Sequence, residues 1–350
     1  MERVKAFLKR KQVVISVQTY LIDALGAMAF GLFASLLIGT IFGTLGEKTG
    51  VVIFTTIAGY AKSATGAALG VSIAYALKAP TLVLFSAATV GIAGNELGGP
   101  VGALVATIIA AELGKIVSKE TPVDILVTPG VTIISGILAA QFVGPGVSAF
   151  MTAFGNLVKT ATVMQPLFMG ILVSALIGIA LTLPISSAAI CIMLSLDGLA
   201  GGAATAGCCA QMVGFAVASF RENKWGGLFA QGIGTSMLQM GNIVKNPRIW
   251  LPATLASAIT GPIATCLFHL QMNGAAVSSG MGTCGLVGQI GVYTGWIADI
   301  EAGSKAAVTP MDWIGLVLIS FILPGVLSWL FSVLFRKIGW IKDGDMKLDL

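Results

Sequence analysis

Seven ionisable side chains stand within or beside long apolar runs of this sequence: Asp23, Lys62, Glu96, Glu112, Lys159, Asp197 and His269. At membrane depth such a group costs about 3 kcal/mol or more, so each is a candidate for solute binding or proton movement. Glu96 lies in Gly94-Asn95-Glu96-Leu97-Gly98-Gly99-Pro100, where glycines let backbone approach a ligand and a helix start presents free N–H groups. The Glu96 carboxylate and Asn95 amide there can hydrogen-bond several hydroxyls of a sugar-like solute; the plainer reading is a carboxylate capping its own helix. His269, the single histidine, titrates near neutrality and suits a proton relay or a hydrogen bond to solute. It also fits an interfacial position with no such role. Lys62 is expected to pair with a carboxylate such as Asp23.

Two further stretches are uncharged. Gly232–Asn242 follows Gln231 and carries Thr235, Ser236, Gln239 and Asn242. Gln239 and Asn242 are three apart and share a helix face, so their neutral amides suit either a polyol or hydrogen bonding between helices. Ser278–Gln289 and its neighbour Gly291 together hold five glycines, too many for a stable lipid-facing helix. Non-helical backbone at depth survives only where protein or water satisfies it, so Thr283–Gln289 is expected to line and close a site, with tight helix packing as the alternative.

The elements that position these residues are apolar helices. Of 350 residues, 56% are hydrophobic and 10% charged, and the mean hydropathy is +0.94. Soluble domains carry about 25% charged residues, so aqueous folds are excluded. Charge-free runs such as 24–46, 125–158, 160–196, 198–220 and 313–335 each meet the ~20 residues a crossing helix needs, and β-barrels would show shorter alternating segments. The expected fold is an all-α polytopic membrane protein with about ten transmembrane helices plus short re-entrant or discontinuous elements. The segments 81–95 and 101–117 are expected as separate spans, as are the pieces around Asp197.

Gly98-Gly99, followed by Gly114-Lys115-Ile116-Val117, is echoed by Gly226-Gly227, followed by Gly241-Asn242-Ile243-Val244. The echo suggests a two-half internal repeat, about 50–160 and 185–300, of the kind common in transporters. Around it, 1–19 reads as a basic cytoplasmic segment rather than a cleavable signal, 20–335 as one transmembrane domain and 336–350 as a cytoplasmic tail. Ten of the twenty basic residues lie in 3–11, 336–347 and at Lys119, which by the positive-inside rule puts both termini in the cytoplasm. The charge is not a nucleic-acid signal. The five cysteines, without a CxxC pair, read as small buried thiols. No metal-ligand spacing, cofactor motif, nucleotide-binding loop or catalytic triad order is present, so no catalytic residue, metal or cofactor is expected.

Gly234–Asn242 followed by Asn246-Pro247-Arg248-Ile249-Trp250-Leu251-Pro252 resembles the bacterial phosphotransferase-system enzyme IIC-like family, in the branch of free-standing membrane subunits that includes a perfringolysin-regulator-like protein. Gly280–Gln289 and Gln18–Gly31 fit the same pattern, and the resemblance spans essentially the whole chain. It implies a homodimer in the bacterial inner membrane, about ten helices per protomer, a sugar or polyol site with hairpin elements, and transport coupled to phosphorylation by separate cytosolic IIB and IIA subunits. The chain would then be at most the membrane subunit of a sugar phosphotransferase. It departs from the family's sugar transporters in lacking an appended phospho-accepting domain and a motif-level glutamate–histidine pair.

The leading reading is a permease that binds a small polar solute through Asn95, Glu96, Gln239, Asn242, Thr283, Gln289 and His269. The alternatives are a membrane-embedded solute sensor without transport, and a proton- or sodium-coupled carrier independent of the phosphotransferase system.

Overall fold

The computed structural model describes residues 2–274 and 276–348; the side chain of Lys159, one of the ionisable candidates, lies outside the described residues. Among the described residues the architecture is all-helical, with one isolated β-bridge between Gly198 and Met272. Six helices are long and apolar enough to cross a membrane: Gln18–Glu47, Thr81–Val117, Asp124–Thr162, Gly198–Ala218, Pro247–Leu267 and Pro310–Lys337. Two apolar helices, Thr65–Ala76 and Pro166–Thr182, are shorter. At 1.5 Å per residue they reach roughly 18 and 26 Å, less than the ~30 Å of hydrocarbon. Among the described residues the all-α polytopic membrane fold is therefore realised with six long apolar helical stretches, one of them broken in two at Gly98–Gly99, and several shorter helices. The chain divides into two compact units, Met1–Phe150 and Met151–Leu350.

In the first unit Thr81–Val117 is two helices. Gly98 (φ −147°, ψ 19°) and Gly99 (φ 61°, ψ −160°) break the helical backbone. Gly99 takes a conformation open in practice only to glycine. Beyond the break the chain returns alongside itself. A Cβ on Gly94 would lie 2.7 Å from the Ala103 Cα, and one on Gly114 2.9 Å from the Val83 side chain. The segment is thus an antiparallel helical hairpin, its second arm opened by Pro100, whose missing N–H is not needed at a helix start. Thr65–Ala76 packs on the first arm so closely that a Cβ on Gly70 would meet the Ala87 carbonyl oxygen at 1.9 Å. Gly136 of Asp124–Thr162 fits against Val90 and Ala110, one from each arm. At the foot of the hairpin Lys115, 1% exposed, donates to the carbonyls of Gln12 (2.9 Å) and Leu77 (3.0 Å) and to Glu112 (2.9 Å).

The expected Lys62–Asp23 pair does not form. The Lys62 stem lies along Gly39 and its ammonium end beside Gly43, whose missing side chains leave it a groove. Asp23 instead accepts from the Gln18 amide at 2.8 Å.

In the second unit three helices meet at glycines. A Cβ on Gly207 of Gly198–Ala218 would sit 1.9 Å from the Ser174 carbonyl, and one on Gly261 of Leu251–Pro262 would sit 2.0 Å from the Gly170 carbonyl, both in Pro166–Thr182. Ser174 Oγ donates to the Ser257 carbonyl at 2.7 Å, and Ser257 Oγ to the Gly207 carbonyl at 3.3 Å. With no hydrophobic driving force between helices in lipid, such close contacts and hydrogen bonds hold the bundle. After Gly198–Ala218 the chain turns at Lys224 (φ 51°, ψ −148°) and comes back, Gly232 facing Ala216. Four of the cysteines are buried as expected, but Cys266 is exposed, because the π-helical turn Ile263–Leu267 rotates it outward.

Candidate functional site

Helix Pro247–Leu267 ends in a π-helical turn, and His269 (φ 47°) then throws the backbone into an extended run. Gly198 and Met272 exchange backbone hydrogen bonds of 3.0 and 2.9 Å, which satisfies groups that would otherwise be orphaned beside apolar helices. The extended run passes so near Gly198–Ala218 that a Cβ on Gly202 would fall 1.8 Å from the Leu270 carbonyl oxygen. Ser279 Oγ donates to the Leu196 carbonyl and Ser187 Oγ to the Gly280 carbonyl, both at 2.7 Å.

The break opens a cavity of about 520 Å³ lined by His269, Gln271, Asn273, Asp299, Lys305 and Asp312, with Trp296 among its apolar residues. Asn273 Nδ2 donates to both Asp299 oxygens at 3.0 and 2.8 Å. Lys305 donates to Asp312 at 2.9 Å, and its ammonium lies 6.0 Å from the Trp296 ring centre. Asp312 also closes a capping box with Thr309. Carboxylates, amides and an ammonium held by one another around an aromatic residue form a fixed array of donors and acceptors suited to a solute with several hydroxyls.

Gln289 and Trp296 belong to one helix, Val287–Glu301. Seven residues bring them onto the same face, Gln289 about 10 Å from Trp296 along the axis. Gln289 is 9% exposed; its Nε2 reaches only the Cys209 sulfur at 3.3 Å, and its Oε1 has no partner. Thr283 is fully buried and donates to the Gly232 carbonyl at 2.5 Å.

Gln239 and Asn242 lie elsewhere in this unit. Gln231 Nε2 donates to Ser219 Oγ (3.0 Å), Gln239 Nε2 to Gln231 Oε1 (2.8 Å) and Asn242 Nδ2 to Gln239 Oε1 (2.9 Å). The ladder continues into the C-terminal segment: Gln239 donates to the Met346 carbonyl at 3.0 Å and Asn242 to the Lys347 carbonyl at 2.8 Å. Both donors of each amide are engaged, so a solute reaches them only by displacing residues 346–347. In the first unit Glu96 is exposed and Asn95 half-buried, the last polar residues before the hairpin turn.

Sequence reasoning named His269 but missed Gln271, Asn273, Asp299, Lys305 and Asp312. The last three resemble ordinary loop charges between spans, and only the break after Leu267 gathers them. It also missed Gln211, fully buried, whose Oε1 accepts from Thr182 (3.1 Å) and Trp250 (2.9 Å); a lone glutamine in an Ala- and Gly-rich helix gave no signal.

No curated protein and no solved structure matches the chain. The family described as "Phosphotransferase system, EIIC" matches residues 22–348. That span takes in every long helix but the first few residues of Gln18–Glu47, together with the cavity and the amide ladder, and the chain belongs to this family of membrane permeases.

Proposed function

We propose that the chain translocates a small, polyhydroxylated, uncharged solute of the sugar or polyol class, which enters the His269 cavity and is passed inward past Trp296 to Gln289. The observation that carries this reading is the buried Gln289 oxygen without a partner. Leaving a buried acceptor unpaired costs about 1–3 kcal/mol, and a solute hydroxyl would remove that penalty. Asp299 and Asn273 hold hydroxyls at the mouth, His269 reaches over it, and Thr283 fixes the loop beside Gln289. In the first unit Asn95 and Glu96 bind hydroxyls at the hairpin tip. Gln239 and Asn242 join only when the C-terminal segment is displaced.

The family works with cytosolic IIB and IIA components, and we assign solute phosphorylation to those partners. The terminal concentration of Lys and Arg supports cytoplasmic termini in a bacterial inner membrane. Helix Pro310–Lys337 carries Asp312 near its start and Arg336 near its end, roughly 36 Å apart, so the cavity then opens to the outside. A homodimer and a two-half repeat complete the proposal. The repeat is supported by the breaks at Gly99 and Lys224, which share one unusual backbone conformation.

Uptake of radiolabelled hexitols and hexoses into proteoliposomes, with and without phosphorylated IIA and IIB, tests the reading. Accumulation of phosphorylated solute only with the partners supports it. Uptake driven by a proton or sodium gradient alone would establish an independent carrier, and binding without flux a sensor.

A further inference from the structure

A second cleft lies in the same unit, where Gly198–Ala218 and Pro310–Lys337 end. Its volume is about 350 Å³, and it is lined by Val217, Phe220, Leu228, Trp329 and Val333 together with Arg221 and Arg336. The apolar wall comes from the ends of two spans and from the helix Phe220–Phe229 that follows the first, so the cleft sits where a bilayer's hydrocarbon meets its headgroups. Trp329 is 50% exposed. Beside it Phe220, Trp225 and Phe229 form a ring cluster with centroids 5.4 and 6.3 Å apart, an arrangement that suits the interfacial zone.

The two guanidiniums differ. Arg336 is held by Glu222 and Asp343, each at 2.7 Å. Arg221 is exposed and has no ion pair or hydrogen bond to another described residue. An unpaired guanidinium over an apolar cleft calls for an anion carrying a hydrocarbon chain. The planar fork fits a phosphate diester, and basic pockets between helix ends are known to take acidic lipid headgroups. A peptide would want donors and acceptors along the wall, where this cleft offers only Ser332 besides the arginines.

We propose that this cleft is a binding site for an acidic phospholipid, one acyl chain lying between Leu228, Trp329 and Val333 and the headgroup phosphate resting on Arg221 with Arg336. The assignment does not depend on which solute is carried.

The test uses the full chain in detergent, titrated with brominated phosphatidylglycerol or with phosphatidylcholine of the same brominated chains, while tryptophan fluorescence is followed. Quenching that is absent in Trp329→Phe isolates the cleft. Half-quenching is expected at a phosphatidylglycerol concentration about fivefold lower than for phosphatidylcholine, the effect of one engaged basic residue. Arg221→Gln should remove the difference; having no partner to lose, this variant keeps its fold. Equal quenching by the two lipids, or an unchanged preference in Arg221→Gln, would overturn the proposal.

Discussion

Asn242 and Lys347 are far apart in sequence, yet the Asn242 amide donates to the Lys347 carbonyl at 2.8 Å. One rung back, Gln239 holds Met346, which Asn223 also reaches at 2.7 Å. Met346 is fully buried. The last residues are therefore a strap sewn to the second unit by side-chain amides. Each such bond contributes about 1 kcal/mol net, so Asn242→Ala, which loses its one bond to the strap, should raise the open fraction of the strap about fivefold. Trypsin cleavage after Lys342 and Lys347 reads this directly. An unchanged cleavage rate would mean that Asn242 does not hold the strap.

Glycine at 202 is dictated by the extended run beside it. A methyl group there would lie 1.8 Å from the Leu270 oxygen, with backbone on both sides and no flexible side chain to yield. Gly202→Ala should prevent recovery of monodisperse protein or lower its melting temperature by many degrees. Gly226→Ala, with nothing within 4 Å of the added carbon, should fold normally. Equal behaviour of the two variants would contradict the placement of residues 270–272.

Class and hairpin were legible because charge-free length and a Gly-Gly-Pro interruption are local properties of a sequence. Breaks at Gly98–Gly99 and within Ser278–Gln289 could be foreseen for the same reason: backbone that cannot remain helical must be sheltered, whereas the break after Leu267 fell inside what reads as one continuous apolar run. What the break gathers could not be foreseen. Asp299 meets Asn273 across 26 positions, and Gln239 meets Met346 across 107. Glutamine and asparagine suit a solute and a folded-back backbone equally well, so amide spacing gave no means of choosing between them.

Glu120 ties the N-terminal helix Glu2–Arg10 to the turn after the hairpin, with Lys11 at 2.5 Å and Arg10 at 2.8 Å. The Lys11 hydrogen bond leads in holding its carboxyl below the ordinary 4.5, with Lys11 and Arg10 adding charge attraction against partial desolvation. A carboxylate lowered on folding contributes stability above its unfolded pKa and loses it as the pH falls through the folded value. A nitroxide at Ala6 should therefore stay ordered near neutrality and gain mobility as the pH drops below about 4.5. In Glu120→Gln it should be mobile at every pH.

Lys224 turns the second unit's chain with φ 51° and ψ −148°, a region that is essentially glycine's own and costs other residues about 1–3 kcal/mol. Its side chain is exposed, so Lys224→Gly should remove strain without opening a cavity. The loss is offset in part by the greater freedom glycine has when unfolded. A net gain of about 1 kcal/mol, seen as a higher midpoint of thermal unfolding, is expected. Lys224→Ala should show no such gain.

Gln289 separates a solute-binding amide from one that merely glues helices. If it were glue, removing it would weaken the fold, and any fall in uptake would follow that loss. Its amide, however, has only a thiol as partner, and its oxygen has none. Gln289→Leu, of similar volume, leaves no orphaned acceptor and should raise stability by about 1–2 kcal/mol. In the same protein the solute loses a hydrogen bond at a buried position, so uptake at low solute concentration should fall about tenfold or more. Stability and transport should thus move in opposite directions within one variant. A fall in both would return Gln289 to the bundle's glue and leave the solute to the cavity above Trp296.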